Sequence, residues 1–356
     1  MAPIPLISVV IPAYNGEKTV LKTLSSIVGQ DFSSLEVIVV DDGSRDLTIS
    51  LVEDFLGKSR FSGNFVLIKH EKNQGLSKTL NDGIQRANGR YVLILHQDCE
   101  FVGDHWVEKA ASFMDDERVG VVTGYYGIPD AESDTFVKRA FGVLRKQFHS
   151  RPRESCECVT FSEGKCDLYC KEALIKAGGF PTGYRIAGED LVVSYRLRSM
   201  GYSIVKCYDL PVIQKFTGAA ETFSGNLGKE FLFGKAAGGV FSQFRFFLFK
   251  DLRNSSYSRL RSLHRASQPF FVLALCFCFL MSWWFSWFVF LFVALLGFRY
   301  AYYFNKVVGE LRIYSNRVKS PVKESLLVGL IGILTDFAYG FGFAYGLIVK
   351  TMNRRM

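Results

Sequence analysis

The first half of the chain alternates short apolar runs with longer amphipathic stretches. The runs, rich in Val and Ile, lie at 6–12, 36–40, 65–69, 91–95 and 119–123. Amphipathic stretches fall between them, near 18–28, 46–56, 76–87 and 106–114. Unbroken apolar runs of this length fit strands buried on both faces, and their alternation with helices predicts a largely parallel, doubly wound α/β sheet. Such sheets bind ligands at the carboxyl ends of their strands, near the switch in strand order. Polar clusters fall at those ends: Pro12-Ala13-Tyr14-Asn15, Asp41-Asp42-Gly43-Ser44 and His96-Gln97-Asp98 follow the first, second and fourth runs.

The pattern changes beyond residue 240. Residues 269–298 carry no charged side chain, a run too apolar for a soluble core helix and long for a single span. Ser282-Trp283-Trp284 sits near its middle, and indole rings favour a membrane interface. A second run, 325–349, has Asp336 as its only charge and holds Gly329, Gly332, Gly340, Gly342 and Gly346, which let helices approach closely. The first run is either one tilted helix or a hairpin. The loop 305–324 carries Lys306, Arg312, Arg317, Lys319 and Lys323 against Glu310 and Glu324, and a positive-inside bias then favours the hairpin. Three transmembrane helices are expected, at about 269–282, 284–304 and 325–349. Ahead of them, 241–268 interleaves Phe244, Phe246, Phe247 and Phe249 with Arg245, Lys250, Arg253, Arg259, Arg261 and Arg265, as a basic segment lying on anionic headgroups would. The first residues contain Pro3, Pro5 and Pro12 without a basic region, unlike a signal peptide. The expected organisation is a domain over 1–240 on the cytoplasmic face, an interfacial segment over 241–268 and a transmembrane region over 269–356.

Charge sharpens this division. The 356 residues hold 43 Lys and Arg against 34 Asp and Glu, a net +9 that would nominate nucleic acid as a partner. Residues 1–240, however, carry 28 basic and 30 acidic side chains, whereas 241–356 carry 15 and 4. The excess lies in the most apolar third, which points to a membrane and removes nucleic acid as the expected partner.

No G-x-G-x-x-G follows the first strand, and no G-x-x-x-x-G-K-[ST] occurs, which counts against a dinucleotide dehydrogenase and a P-loop NTPase. Carboxylates at strand ends suit a divalent cation, Mg²⁺ or Mn²⁺, bound with substrate phosphates. The segments SVVIPAYN at 8–15, EVIVVDDGSRD at 36–46, NQGLSKTLNDGI at 73–84, GRYVLILHQD at 89–98 and AGGF…GED at 177–190 occur in one order. With them the chain, over about 6–240, resembles the family 2 glycosyltransferases, inverting enzymes with the GT-A nucleotide-sugar fold, a Rossmann-like and mainly parallel sheet. The resemblance implies that Asp41 and Asp42 contact the donor's base and ribose, and that Pro12 and Tyr14 form the first nucleotide-contacting loop. It implies that Asp98, with Gln97 beside it, meets metal and donor diphosphate, and that Asp190, next to Glu189, is the catalytic base.

The chain departs from that pattern in three places. The family's D-x-D reads His96-Gln97-Asp98, so a carboxylate is replaced by His96, itself a candidate metal or donor ligand or a structural strand-end histidine. Leu80 stands where many members have an arginine near the diphosphate, and Lys78 is the candidate substitute. The Q-x-x-R-W element of processive synthases is absent, as expected for addition of a single sugar. Cys156, Cys158, Cys166 and Cys170 lack the paired C-x-x-C spacing of zinc ribbons and read as reduced thiols. Residues 127–170 hold Lys138, Arg139, Arg145, Lys146, Arg151 and Arg153, a cluster suited to a lipid phosphate or to plain solvation.

The expectation is a membrane-anchored transferase that passes one sugar from a UDP-, GDP- or dTDP-linked donor to a hydroxyl of a lipid-linked acceptor. Asp190 would act as base and Asp98 would hold metal. A polyprenyl-phosphate sugar synthase is the enzymatic alternative, although a phosphate acceptor needs no base. An inactive membrane scaffold is the non-enzymatic one.

Overall fold

The computed structural model describes residues 6–58, 64–128, 135–146, 155–182, 188–215, 221–244, 256–285, 287–311 and 321–352. Arg151, Arg153, Arg245, Lys250, Arg253, Arg312, Arg317 and Lys319 lie outside them, as do the side chains of Arg145, Lys146, Arg259, Arg261, Arg265 and Lys306. The chain divides into two compact units, one of residues 1–130 and 151–217, the other of 131–150 and 218–356.

The first unit is an α/β domain. In chain order it contains β1 (Ile7–Ala13), α1 (Val20–Val28), β2 (Leu35–Asp41), α2 (Thr48–Lys58), β3 (Asn64–Lys69), α3 (Leu76–Arg86), β4 (Tyr91–Leu95), β5 (Cys99–Phe101), α4 (Trp106–Ser112) and β6 (Val119–Ile128). The second unit contributes α5 (Phe136–Lys146), after which the first unit resumes with β7 (Cys156–Val159), β8 (Cys166–Cys170), α6 (Lys171–Lys176), α7 (Glu189–Ser199) and β9 (Ser203–Gln214). The sheet runs β3-β2-β1-β4-β8-β6-β9-β5, with β7 paired to β9. Strands β1 to β4 are mutually parallel, whereas β8 enters antiparallel between β4 and β6. Ile7, Val9, Ile11, Val37, Val39, Leu93 and Leu95 face one apolar layer, and Val10, Ile38, Val40, Val92 and Ile94 face the other. Strands covered on both faces have no polar alternation, which is why their sequence reads as unbroken Val and Ile.

One polar group crosses this core. The buried Glu36 carboxylate accepts hydrogen bonds from the Ser8 hydroxyl (2.5 Å), the Asn88 backbone (2.5 Å) and the Asn88 amide (2.9 Å). Those bonds outweigh the opposing effect of burial and hold it below the usual carboxylate range.

The second unit is helical: α5, then α8 (Phe223–Phe244), α9 (Ser256–Ser282), α10 (Trp287–Leu311) and α11 (Pro321–Met352). It takes in α8, which starts ahead of residue 240, because α8 packs along α11 at backbone contact. A Cβ on Gly342 would lie 2.0 Å from the Phe231 carbonyl, and one on Gly234 2.0 Å from that of Tyr339, so only glycine permits this approach. The first apolar run is broken at Trp283-Trp284 into α9 and α10, and Trp283 is 91% exposed. Trp287–Asn305 and Val322–Val349 are long and apolar enough to cross a membrane, and Ser267–Ser282 is a shorter apolar stretch.

Asp336 is fully buried in α11. It accepts hydrogen bonds from Arg299 Nε (2.6 Å) and Nη2 (3.1 Å), from the Tyr303 hydroxyl (2.7 Å) and from Gln268 Nε2 (2.8 Å). One carboxylate thereby joins α9, α10 and α11. Removing it strands a largely buried guanidinium, at a cost of up to about 3–5 kcal/mol. Asp336→Leu should therefore lower the melting temperature of the detergent-solubilised chain, and adding Arg299→Met should restore most of the loss.

Candidate functional site

The site forms where the carboxyl ends of β1, β2, β4 and β9 meet the amino end of β8. The β1 and β2 ends are laced together by side chains. Asn15, at φ +50, donates its backbone N–H to Ser44 Oγ at 2.9 Å, and its own Oδ1 accepts from the Arg45 backbone at 2.9 Å. Gly16 N donates to Thr48 Oγ1 at 2.7 Å, and Glu17 N donates to Asp46 Oδ2 at 3.1 Å. Gln97 closes the other side, its amide accepting from Tyr14 N at 3.0 Å and donating to Tyr14 O at 2.9 Å. Gln97 thus grips the Tyr14 backbone, leaving the Tyr14 ring exposed beside Pro12, which lies within β1.

Both acidic residues at the end of β2 are buried. Asp41 Oδ2 accepts from the Gly43 and Ser44 backbones at 3.1 and 2.9 Å, while its Oδ1 is buried with no partner. Gly43 has φ +75, and a Cβ there would come within 2.8 Å of the Lys72 backbone, so the turn requires glycine. Asp42 accepts from the Gln74 and Gly75 backbones at 2.7 and 2.9 Å, at the start of α3. His70 bridges Asp42 Oδ1 (2.9 Å) to Asp82 Oδ2 (3.0 Å), and Lys78 pairs with Asp82 one turn along. His70 has no motif of its own; its role appears only when the end of β3 is folded against α3.

At the end of β4, Asp98 Oδ2 accepts from Gln214 Nε2 at 3.1 Å, and Gln214 Oε1 accepts from Lys165 Nζ at 2.9 Å. His96 lies alongside, its backbone N donating to Lys165 O at 2.8 Å. Burial pushes its imidazole down to about 4, with Asp98 opposing and Lys165 reinforcing the shift, so the ring is neutral; its Nε2 is buried with no partner. Mg²⁺ or Mn²⁺ binds through one or two carboxylates together with substrate phosphates. Asp98 and the His96 Nε2 lone pair fit such a cation. Among the described residues no group of three His, Cys, Asp or Glu side chains converges for a metal, so the remaining ligands would come from a bound diphosphate and water.

Glu189 and Asp190 open α7 directly after Gly188, where the helix dipole favours negative charge. Asp190 Oδ1 accepts from the Leu191 backbone at 2.8 Å. Glu189 is buried, with Oε2 unpartnered; burial first, and Asp190 second, push its carboxyl up to about 8. Asp190 packs against Gly164, the neighbour of Lys165: a Cβ on Gly164 would lie 3.1 Å from the Asp190 Cβ, which brings the pair to the loop entering β8. Asp167, buried behind the loop that enters β8, accepts from the Gly164 backbone at 2.6 Å, and burial lifts it to about 7. Lys165, Asp167 and Gln214 carry no sequence signal and are brought in by the antiparallel strand β8 and the long strand β9.

The Glu189 shift has a measurable sign. A carboxyl raised from its ordinary range to about 8 favours the folded state fully below that range, and the benefit is lost as pH rises through about 8. Thermal melts between pH 5 and 9 should show this decline, and Glu189→Gln should flatten it.

Residues 8–178 match the sequence family described as glycosyl transferase family 2. An uncharacterized glycosyltransferase of Haemophilus influenzae is 29% identical over 144 residues, covering 40% of this chain and 42% of that protein. The poly-β-1,6-N-acetyl-D-glucosamine synthase of Staphylococcus epidermidis is 28% identical over 204 residues, covering 56% and 47%. The matches thus span less than half the length of these relatives. Among solved structures, a mannosyltransferase from Pyrobaculum calidifontis in complex with GDP-Man and Mn²⁺ superposes with a TM-score of 0.57 at 18% identity, covering 94% of this chain and 86% of that one. That likeness establishes a GT-A type of fold. Residues 8–178 thus carry a glycosyl transferase family 2 domain.

Proposed function

We propose that the protein is a membrane-anchored inverting glycosyltransferase that moves one sugar from a nucleotide-sugar donor to a hydroxyl of a lipid-linked acceptor at the cytoplasmic face. The observation that carries this reading is the meeting of two unlike sets of groups at Gly164-Lys165, where Lys165 bonds Gln214 and Gly164 packs on Asp190. On one side stand Asp98, His96 and Gln214; on the other stands a carboxylate pair of which Glu189 is the deeply buried member.

The acceptor hydroxyl loses its proton as it attacks the anomeric carbon from the face opposite the departing nucleotide. Asp190, less buried than Glu189 and bound to the helix terminus, takes that proton. Glu189 stays protonated up to about 8, so Asp190 keeps the charge of the pair. The leaving nucleoside diphosphate gathers negative charge, and the Lys165 ammonium faces it from a position fixed by Gln214. A divalent cation held by Asp98 and His96 supplies further charge neutralisation when bound. The Tyr14 ring, Pro12 and the unpartnered Asp41 Oδ1 receive the base and ribose, while Asp42, Gln97 and Lys78 hold the walls of that pocket. The apolar stretches Trp287–Asn305 and Val322–Val349 support anchoring, and they would keep the site next to a lipid acceptor.

Membranes carrying the chain, supplied with a panel of UDP-, GDP- and dTDP-sugars and a lipid extract, should transfer sugar to lipid. Asp190→Asn should lower that transfer by about 10²–10⁴-fold while leaving donor binding within a factor of about two. Full activity in this variant would remove the base assignment, and a product esterified through a polyprenyl phosphate would replace the hydroxyl acceptor. EDTA should depress turnover, Mg²⁺ or Mn²⁺ should restore it, and Asp98→Asn should abolish the response to added metal.

A further inference from the structure

Two thiols that take no part in the proposed reaction face each other across the sheet. Cys156 in β7 is the register partner of Cys207 in β9, and their sulfurs lie 3.1 Å apart. Directly opposed residues in antiparallel strands have Cα atoms about 4.5–5.5 Å apart, inside the range that a disulfide spans. The register is held independently on both sides. Tyr208 N donates to Ser155 O at 2.7 Å, and the Tyr208 hydroxyl donates to Glu157 Oε1 at 2.5 Å. Both thiols are free, Cys207 buried and Cys156 partly exposed, with Cys158 exposed two residues further along β7.

We propose that Cys156 and Cys207 form a reversible intramolecular disulfide, making this strand pair a thiol-modification site for hydroperoxides. The difference in exposure assigns the order of events. The Cys156 thiolate attacks one oxygen of the peroxide bond and becomes a sulfenic acid, releasing the other oxygen as water. The Cys207 sulfur then attacks the Cys156 sulfur and expels the hydroxyl as a second water. Two thiols lose two protons and two electrons, and hydrogen peroxide is reduced to two waters. Cys207 takes the second role because its sulfur already lies 3.1 Å from that of Cys156; burial, and then the Cys156 contact, push its thiol up to about 12, so it does not react ahead of its partner.

The bond would close a chain loop running from 156 to 207. That loop contains the segment entering β8, where Ser162 N donates to Ser194 Oγ at 3.0 Å, Glu163 pairs with Lys206 at 2.7 Å, and Lys165 reaches Gln214. Oxidation would therefore tie down the amino end of the segment that carries Lys165, at a point away from the reacting groups. In a reducing compartment the pair rests as two thiols.

The test uses the full chain in detergent and does not depend on sugar transfer. After treatment with hydrogen peroxide, alkylation and proteolysis, mass spectrometry should find one peptide pair linked through 156 and 207, and dithiothreitol should release it. The oxidised chain should melt several degrees higher than the reduced one, since cross-linking a long loop restricts the unfolded chain. Cys156→Ser should abolish both the linked peptide and the shift; its partly exposed position makes it the variant to rely on if Cys207→Ser fails to fold. Full alkylation of both cysteines after oxidation, or a bond formed by Cys158 instead of Cys156, would overturn the proposal.

Discussion

The α/β unit depends on one buried carboxylate. Asp42 accepts hydrogen bonds from two backbone amides ahead of α3, meets the His70 ring, and lies on a residue whose own amide is bonded to Ala13 at the end of β1. Three chain segments therefore converge on a single residue, two of them on its carboxylate and one on its backbone. A buried ionised group is tolerated only when its lone pairs are filled, and here the protein fills them without help from a ligand. The cradle at the strand ends is built before any donor arrives, and the neighbouring lacing of Gln97 to Tyr14 and of Asn15 to the 44–45 turn completes it.

Much of this was readable in the chain, for a physical reason. Parallel strands covered on both faces must be apolar at nearly every position, so β1 to β4 and the start of β6 announce themselves. Strands β8 and β9 do not. Asp167 sits inside β8, and β9 contains Lys206, Asp209 and Pro211. Lys206 is nevertheless buried, since Glu163 neutralises it from another segment, and no local pattern encodes such a pairing. The carboxylates at 41, 42, 98 and 190 were legible through motifs. Lys165, Gln214 and His70 were not, because each acquires its neighbours only through tertiary pairing. Several motif residues also do more structural work than motifs suggest: the amide oxygen and nitrogen of Gln97 both hold the Tyr14 backbone, and Asp42 holds the entry to α3.

The helical unit follows a different rule. Its apolar exteriors are exposed, with Trp283 and Phe298 prominent, so burial of apolar surface alone does not define how its helices meet. Close contact instead comes from glycine on α8 and α11, and specificity from the Asp336 network that links α9, α10 and α11. The same glycines that suggested close approach in the sequence are divided among partners: Gly342 and Gly346 meet α8, Gly329 and Gly332 meet tyrosines of α10, and Gly340 meets Val272 of α9.

The reversed direction of β8 has a consequence for how such a domain can diversify. Because β8 runs against β4, the loop entering β8 arrives at the same end of the sheet as the loops leaving β1, β2 and β4. The laced segments 13–17 and 43–48 and the entry to β8 are separate pieces of chain that share a rim without sharing their internal bonds. Length and sequence between β6 and β8, ahead of Glu163 and Lys165, can therefore drift while the lacing stays intact. The fold in this way separates inheritance from innovation: one side of the rim is held constant by its own hydrogen bonds, and the other is open to rewriting.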